Sequence, residues 1–233
     1  MRRGMGKHPV SVLLDLLFPP RCAFCGRLVE EGDVCAACAE ALPFREGTAS
    51  VQVIGEGRYP CALAFYYEGP VRDGVRALKF GKKSWRARVF ARYIAQTAAE
   101  ELSGGFDAVS FVPVSLRRNF ERGFDQARLL AEEAANIWGV KAEAVLRKDR
   151  HTRAQSSLQD AALRKTNVKG AYCVPHPERV RGRRFLLIDD VCTTGSTLSA
   201  AADALLEAGA AGVVCAVLAG GSRKRENSEE LFP

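Results

Sequence analysis

The sequence predicts an α/β domain with a mostly parallel central sheet, preceded by a small metal-binding module. Short continuous apolar runs, such as residues 185–188, are typical of strands that are buried on both faces. They alternate with segments whose apolar residues recur at helical spacing, such as residues 198–206. Four of the eight cysteines are clustered in residues 22–38, and this cluster indicates the module.

Length and composition suit one domain of ordinary size with a small addition. The chain has 233 residues, of which 47% are hydrophobic and 26% are charged, as in soluble globular proteins. The net charge of +7 favours polyanionic partners or phosphorylated ligands. We expect an N-terminal helix and the metal-binding module in residues 1–45, the α/β domain in residues 46–222 and a C-terminal tail in residues 223–233.

The N-terminal segment resembles a signal peptide, because basic residues precede the apolar run 10–18. Asp15 interrupts that run, however, and two prolines follow it where a signal peptide has a small-residue cleavage site. We therefore expect a short amphipathic helix, and no segment has the ~20 apolar residues of a membrane span. The scattered cysteines favour a reducing cytoplasm. They are Cys61, Cys173, Cys192 and Cys215.

The clustered cysteines form two CxxC pairs, Cys22 with Cys25 and Cys35 with Cys38, separated by nine residues. Two such pairs can place four thiolates tetrahedrally around one Zn²⁺ ion. All four positions would then be filled by protein, so the zinc would be structural and could still present a surface to a partner or to nucleic acid. The alternative is a redox-active CxxC, but that motif needs one pair in a βαβ setting.

Residues 185–206 have the order strand, acidic pair, small hydroxyl-rich turn and helix. Asp189 and Asp190 follow the apolar run, where an α/β sheet binds its ligands, and can accept from sugar hydroxyls or hold a hydrated Mg²⁺. The helix after the turn offers unpaired N–H groups to a phosphate. A phosphorylated sugar would satisfy both halves, whereas an ordinary strand end with a helix cap is the alternative. The candidate phosphate-binding residues are Thr193, Thr194, Gly195, Ser196 and Thr197.

Residues 70–92 contain eight positive side chains against Asp73 alone. One interpretation is the solvated face of helices, one of which we expect over residues 85–102. These helices would turn Val75, Leu78, Val89, Phe90 and Ile94 inward. The other is a nucleic-acid interface in which Phe80 and Trp85 stack on bases. The candidate nucleic-acid-binding residues are Lys79, Lys82, Lys83 and Arg86.

Three further segments bear on the site. Residues 106–114 predict a buried strand, and residues 125–138 predict a helix with Asp125 as its N-cap. Residues 147–167 are basic and poorly periodic, so they predict either a surface loop or a lid over the ligand. The lid interpretation assigns the ligand contacts to Arg147, Arg150 and Arg153.

Taken together, these motifs resemble the ComF (competence protein F) family, in which a zinc module is fused to a type I phosphoribosyltransferase domain. The resemblance covers nearly the whole chain and is carried by the two CxxC pairs, YEGPVRDGVRALKFGKK, VPVSLRRNFERGFDQA, RHTRAQSSL, NVKGAY and LLIDDVCTTGST. It implies that the acidic pair contacts the ribose hydroxyls of phosphoribosyl pyrophosphate (PRPP) and that residues 193–197 bind its 5′-phosphate. It also implies a pyrophosphate-binding loop formed by Val114, Ser115, Leu116 and Arg117. This chain has Asp125 where the family usually has Asn.

The resemblance supports more than one function. As an enzyme, the protein would bind Mg²⁺-PRPP and release pyrophosphate from the ribose through an oxocarbenium-like transition state. As a binding module of DNA uptake, it would bind single-stranded DNA and keep a regulatory or vestigial PRPP site. As a scaffold, it would use the zinc module to dock a competence helicase or another uptake protein.

Overall fold

The computed structural model describes residues 19–80, 84–114, 123–148 and 170–223. Several predicted features lie outside these ranges: the helix over residues 10–18, most of the lid and the tail from residue 224. The predicted site residues that lie outside them are Lys82, Lys83, Ser115, Leu116, Arg117, Arg150 and Arg153.

A six-stranded sheet forms the centre of the described structure. Its strands are β1 Val51–Ile54, β2 Tyr59–Phe65, β3 Ala108–Phe111, β4 Ala142–Glu143, β7 Arg184–Cys192 and β8 Gly212–Gly220. Their order in the sheet is β1-β2-β8-β7-β3-β4. Every neighbouring pair is parallel except β1 and β2, which are antiparallel, so the predicted mostly parallel sheet is confirmed. A separate antiparallel ribbon pairs β5 Arg147–Lys148 with β6 Tyr172–Cys173.

Helices cover both faces of the sheet. The helices predicted over 85–102 and 125–138 are confirmed to within a residue at each end, because their apolar stripes match the helical period. Among the described residues, no helix combines the length and apolar character of a membrane span. The α-helices are α1 Ala36–Ala41, α2 Gly69–Phe80, α3 Arg86–Glu101, α4 Gln126–Ile137 and α5 Ser196–Glu207.

The core has two parts, one on each face of the sheet. On one face α2, α3 and α4 pack against the sheet together with the cysteine module, and on the other face α5 packs alone among the α-helices of the described ranges. The apolar side chains that the sequence predicted to turn inward from α2 and α3 are all buried. This confirms the amphipathic interpretation of both helices, although it leaves the role of their outer face open.

The cysteine module packs directly into the main core. Cys22, Ala23 and Phe24 are buried in the same apolar cluster as α3, and the Phe24 ring lies 5.3 Å from that of Phe90 and 6.0 Å from that of Phe65. The contact with Phe65 is edge-to-face, a geometry that adds to the apolar burial. The module therefore contributes side chains to the core of the α/β domain.

Strand β7 is longer than predicted. The apolar run 185–188 predicted that Asp189 and Asp190 would follow the strand, but β7 continues through both to Cys192. The reason is its neighbour β8, which runs alongside and pairs Asp189 with Val217. Because successive strand residues point to opposite faces, Asp189 follows Leu187 toward the α5 side and Asp190 follows Ile188 toward the α2 side.

Candidate ligand site and metal centre

A cleft of about 330 Å³ opens beyond the carboxyl ends of β3 and β7. It brings together the acidic pair, the two outer threonines of the hydroxyl-rich turn and the start of the predicted pyrophosphate loop. A smaller pocket of about 30 Å³ adjoins it and is lined by residues 192–198, including Thr194, Gly195 and Ser196. The cleft is lined by Tyr67, Lys79, Val112, Pro113, Val114, Gln126, Ala127, Lys148, Tyr172, Asp189, Asp190, Val191, Thr193 and Thr197.

Lys79 supplies a counter-charge to the acidic pair. Asp190 is only 7% exposed, and its Oδ2 lies 2.9 Å from Nζ of Lys79. Asp189 Oδ1 accepts a hydrogen bond of 2.8 Å from the backbone N–H of Asp190. Burial, together with the negative charge of Asp190, raises the pKa of Asp189 well above its ordinary value, although Lys79 opposes the rise. The pair is therefore an electrostatically costly group, as is typical of functional sites.

The hydroxyl-rich turn requires a glycine at its centre. Gly195 has a φ of 72° as the N-cap of α5, and a Cβ atom there would lie 2.7 Å from Cγ2 of Ile54. The turn places the hydroxyls of Thr194 and Ser196 2.9 Å apart around the smaller pocket. Hydroxyl donors and the first N–H groups of a helix face this pocket together, and such an arrangement suits a phosphate.

Asp125 links the cleft loop to α4 through two hydrogen bonds. Its Oδ1 accepts from the N–H of Arg128 at 3.1 Å, which confirms the predicted N-cap. Its Oδ2 accepts from the N–H of Val114 at 3.0 Å, a contact that spacing along the sequence does not reveal. An asparagine has one acceptor oxygen and a donor NH₂, so it cannot accept at both positions. The carboxylate at this position thus fixes the start of the predicted pyrophosphate loop.

We expect Asp125→Asn to keep the helix cap and lose the bond to Val114. Asn caps helices about as well as Asp, so the free energy of unfolding should fall by about 1–2 kcal/mol, mainly through the unpaired Val114 amide. Urea unfolding of the wild type and the variant measures this difference. Asp73→Asn, a change at an exposed residue of α2, is the matched control, and an equal unfolding midpoint in Asp125→Asn and the wild type would contradict the expectation.

Two cleft residues at the base of the predicted lid, Lys148 and Tyr172, were not predicted from the sequence. Lys148 Nζ lies 3.3 Å from the hydroxyl of Tyr172 and 5.1 Å from its ring centroid, and both residues line the cleft. The β5–β6 ribbon pairs them, whereas the predicted Arg147 is opposite Cys173 and exposed. Alternation along a strand could have separated residues 147 and 148, but nothing local shows that residue 172 is the partner.

Two residues that were predicted to bind nucleic acid, Arg86 and Lys79, contact other parts of the protein. Arg86 is 1% exposed and donates to the carbonyl oxygens of Phe24, at 2.8 Å, and of Ala23. The prediction that Arg86 binds nucleic acid is therefore wrong, because its guanidinium group is buried and donates to the first CxxC turn. Lys79 points into the cleft and pairs with Asp190 instead of facing outward.

The four clustered cysteines form a candidate metal centre. Their sulfur atoms all lie within 4.8 Å of one another, and Sγ of Cys25 lies 3.7 Å from Sγ of Cys35. Tetrahedral Zn²⁺ with Zn–S bonds of about 2.3 Å places sulfurs about 3.8 Å apart. Cys38 reaches the site because α1 begins directly after Cys35, so the two lie one helical turn apart.

Electrostatics also fit a bound cation at this centre. Although burial opposes ionisation, hydrogen bonds from backbone N–H groups, that of Cys35 first, lower the pKa of Cys22 to about 6. Burial and the neighbouring thiols raise the pKa of Cys38. Four such groups resist sharing negative charge unless a cation neutralises them. The donor set therefore fits a structural zinc. Four cysteine sulfurs would fill its tetrahedral coordination and leave no position for a catalytic water.

Two family models match the chain. A model described as a phosphoribosyl transferase domain matches residues 125–232, and one described as a double zinc ribbon domain matches residues 13–50. The second match contains four cysteines and no histidine, which is one set of zinc ligands. The structural zinc and the phosphoribosyltransferase-type sheet are thus supported by independent observations.

Curated relatives match a large part of this chain. DNA utilization protein YhgH of Salmonella typhi is 36% identical over 152 residues, which are 63% of this chain and 66% of the relative. Competence protein F of Haemophilus influenzae is 26% identical over 76% of this chain and 80% of its own. Among solved structures, a glutamine PRPP amidotransferase from B. subtilis matches 62% of this chain and 27% of its own at 23% identity, with a TM-score of 0.38 that is too low to bear on function. The zinc ribbon, the phosphoribosyltransferase domain and the relatives named for competence place this chain in the ComF family.

Proposed function

We propose that the cleft binds PRPP and that the protein acts in the handling of incoming DNA during natural competence. The observation that carries the first part is the acidic pair beside a hydroxylated helix N-terminus, in two adjoining pockets that share Asp189. A ribose 5-phosphate unit needs carboxylates for its hydroxyls and N–H groups for its phosphate, so this pairing matches it. The names of the relatives, competence protein F and DNA utilization protein, support the second part.

The chemistry that this arrangement supports is phosphoribosyl transfer. Asp189 and Asp190 would hold the ribose and stabilise positive charge as the bond from C1 to pyrophosphate breaks. Residues 193–197 would hold the 5′-phosphate, while Val114 and the loop after it would face the pyrophosphate. Mg²⁺ would accompany the diphosphate, and the carboxylates fit its preference for oxygen ligands and water. Catalysis by such a site depends on positioning and electrostatics, whereas a site that binds without turnover would serve as a sensor.

Calorimetric titration with PRPP and Mg²⁺ tests this proposal. The wild type should bind, and the double variant Asp189→Ala/Asp190→Ala should lose all measurable affinity because both ribose contacts are removed. Asp73→Ala, which removes an exposed carboxylate, is the control. Pyrophosphate release in the presence of candidate acceptors then distinguishes an enzyme from a sensor. Equal PRPP affinity in the wild type and the double variant would refute the proposed site.

Nucleic-acid binding is the second function that we propose, at the surface between α2 and α3. Phe80 is 70% exposed and Trp85 is 42% exposed, one on each side of residues 81–83. Arg76 and Arg88 are exposed and form no ion pair with another residue in the described ranges. Exposed aromatic rings beside cations are what single-stranded DNA-binding surfaces use. A cytoplasmic location and a helicase or uptake protein as partner belong to the same proposal.

Binding of single-stranded DNA at two salt concentrations tests this surface. With six or more phosphate contacts, affinity should fall by ~10³-fold or more between 50 and 200 mM salt. Trp85→Ala should weaken binding by about 1–3 kcal/mol at both concentrations, since stacking is not ionic. Arg88→Ala should reduce the salt slope by about one contact. Binding that is unchanged in both variants would place the DNA elsewhere on the protein.

A further inference from the structure

Lys79 is a cation in the cleft that belongs neither to the metal centre nor to the hydroxyl-rich turn. It lies in the last turn of α2, where the exposed carbonyls of a helix favour positive charge. Its Nζ is 2.9 Å from Oδ2 of Asp190, yet the side chain is still 22% exposed and lines the cleft. This ion pair is therefore open to a ligand and is not sealed in the core.

The topology places Lys79 and the hydroxyl-rich turn on opposite sides of the acidic pair. The turn leads into α5 on one face of the sheet, whereas α2 packs on the other face. Asp189 points toward the α5 side and Asp190 toward the α2 side, as alternation along β7 requires. A ribose bound with its 5′-phosphate in the turn and its hydroxyls at the acidic pair would extend toward Lys79.

An ammonium group can serve the carboxylate and a ligand together. It carries three N–H donors, and the contact with Asp190 uses one. Without a ligand, Lys79 offsets the charge of the buried Asp190, which would otherwise be unpaired and costly. A ligand that fills the cleft displaces the water that the remaining donors of Lys79 would otherwise use, so these donors need another acceptor. An anionic group on the ligand supplies it.

We infer that Lys79 is a specificity-determining residue, which selects sugar phosphates that carry a second anionic group at C1. This inference rests on the proposed function, because the cleft must first bind a ribose 5-phosphate unit. The chemistry is an ammonium-to-phosphate contact at the diphosphate of PRPP. A ligand with a neutral C1 hydroxyl would gain nothing from the contact.

Titration of two ligands that differ only at C1 tests the inference. PRPP and ribose 5-phosphate are titrated, with Mg²⁺, into the wild type, Lys79→Gln, Lys79→Arg and Arg72→Met. The glutamine amide still donates to Asp190, so the carboxylate keeps a hydrogen-bond partner while the charge is removed. Arg72→Met removes a charge from the exposed face of the same helix and is the matched control. Zinc content and thermal melting confirm that each variant is folded.

We expect Lys79→Gln to weaken PRPP binding by about 10-fold or more, as for loss of a hydrogen bond to a charged group. Ribose 5-phosphate binding should change by less than about 3-fold, and Lys79→Arg should retain most of the PRPP affinity, since it keeps the charge. Equal losses for both ligands in Lys79→Gln, or no loss for either, would overturn the inference while leaving PRPP binding established. A wild type that binds neither ligand would instead refute the proposed function, and this inference with it.

Discussion

Removal of zinc is expected to unfold the α/β domain together with the cysteine module. Cys22, Ala23 and Phe24 belong to the main core, and Arg86 donates to the carbonyls of Ala23 and Phe24 from the start of α3. Structural zinc contributes roughly 10–16 kcal/mol of apparent binding energy in zinc-finger peptides, whereas a whole domain is stable by only about 5–15 kcal/mol. Loss of the metal should therefore cost more than the fold can offset.

Circular dichroism during chelator titration measures this effect. The helical signal should fall in one cooperative transition as zinc is withdrawn, because the helices α3 and α4 share a core with the cysteine module. Cys38→Ser should behave like the chelated protein. Cys173→Ser, which changes a cysteine outside the metal centre, should melt near the temperature of the wild type. Retention of the full helical signal and melting temperature without zinc would show that the α/β domain is stable without the metal-bound cysteine module.

Asp189→Asn is expected to change ligand affinity and stability in opposite directions. The variant removes a carboxylate that we propose holds the ribose, so PRPP affinity should fall by about 10- to 100-fold. It also removes a charge that burial and Asp190 make unfavourable in the folded state. At neutral pH the melting temperature should rise by about 2–4 °C, the shift expected for roughly 1 kcal/mol in a chain of this size.

The pH dependence of that stabilisation follows from the direction of the pKa shift. Because the folded state raises the pKa of Asp189, it binds more protons than the unfolded state between the ordinary aspartate range and the raised value. Wild-type stability from this group therefore falls as pH rises through that window. The advantage of Asp189→Asn should be largest above the window and disappear toward acid pH. Melting curves across this range, with Asp73→Asn as control, measure it, and an advantage that grew toward acid pH would contradict the assignment.

Local patterns in the sequence predicted the parts of this protein that depend on neighbours along the chain. The apolar stripes of α3 and α4 repeat at the helical period, so their bounds were predicted closely. Asp125 was recognised as an N-cap, since capping involves a residue only three positions away. The two CxxC pairs predicted a metal centre because two tight turns suffice to present four sulfurs.

Contacts between distant segments decided how the candidate site is charged. Arg86 and Lys79 belong to one basic run, yet the fold buries the first against the CxxC turn and directs the second to Asp190. The second bond of Asp125 reaches Val114 from a different element. Periodicity shows which face of a helix is apolar, but it does not show which polar end of a side chain meets which carbonyl or carboxylate.

The sequence alone therefore determined the fold class, the candidate metal ligands and the position of the acidic pair beside the hydroxyl-rich turn. Each of these follows from residues that are close together along the chain. Only the tertiary structure decided that the cysteine module shares the core of the α/β domain and that Lys79 is a counter-ion of Asp190. Both depend on how α2 and α3 pack against one face of the sheet. Packing of this kind is set by the whole core and by no single stretch of the chain.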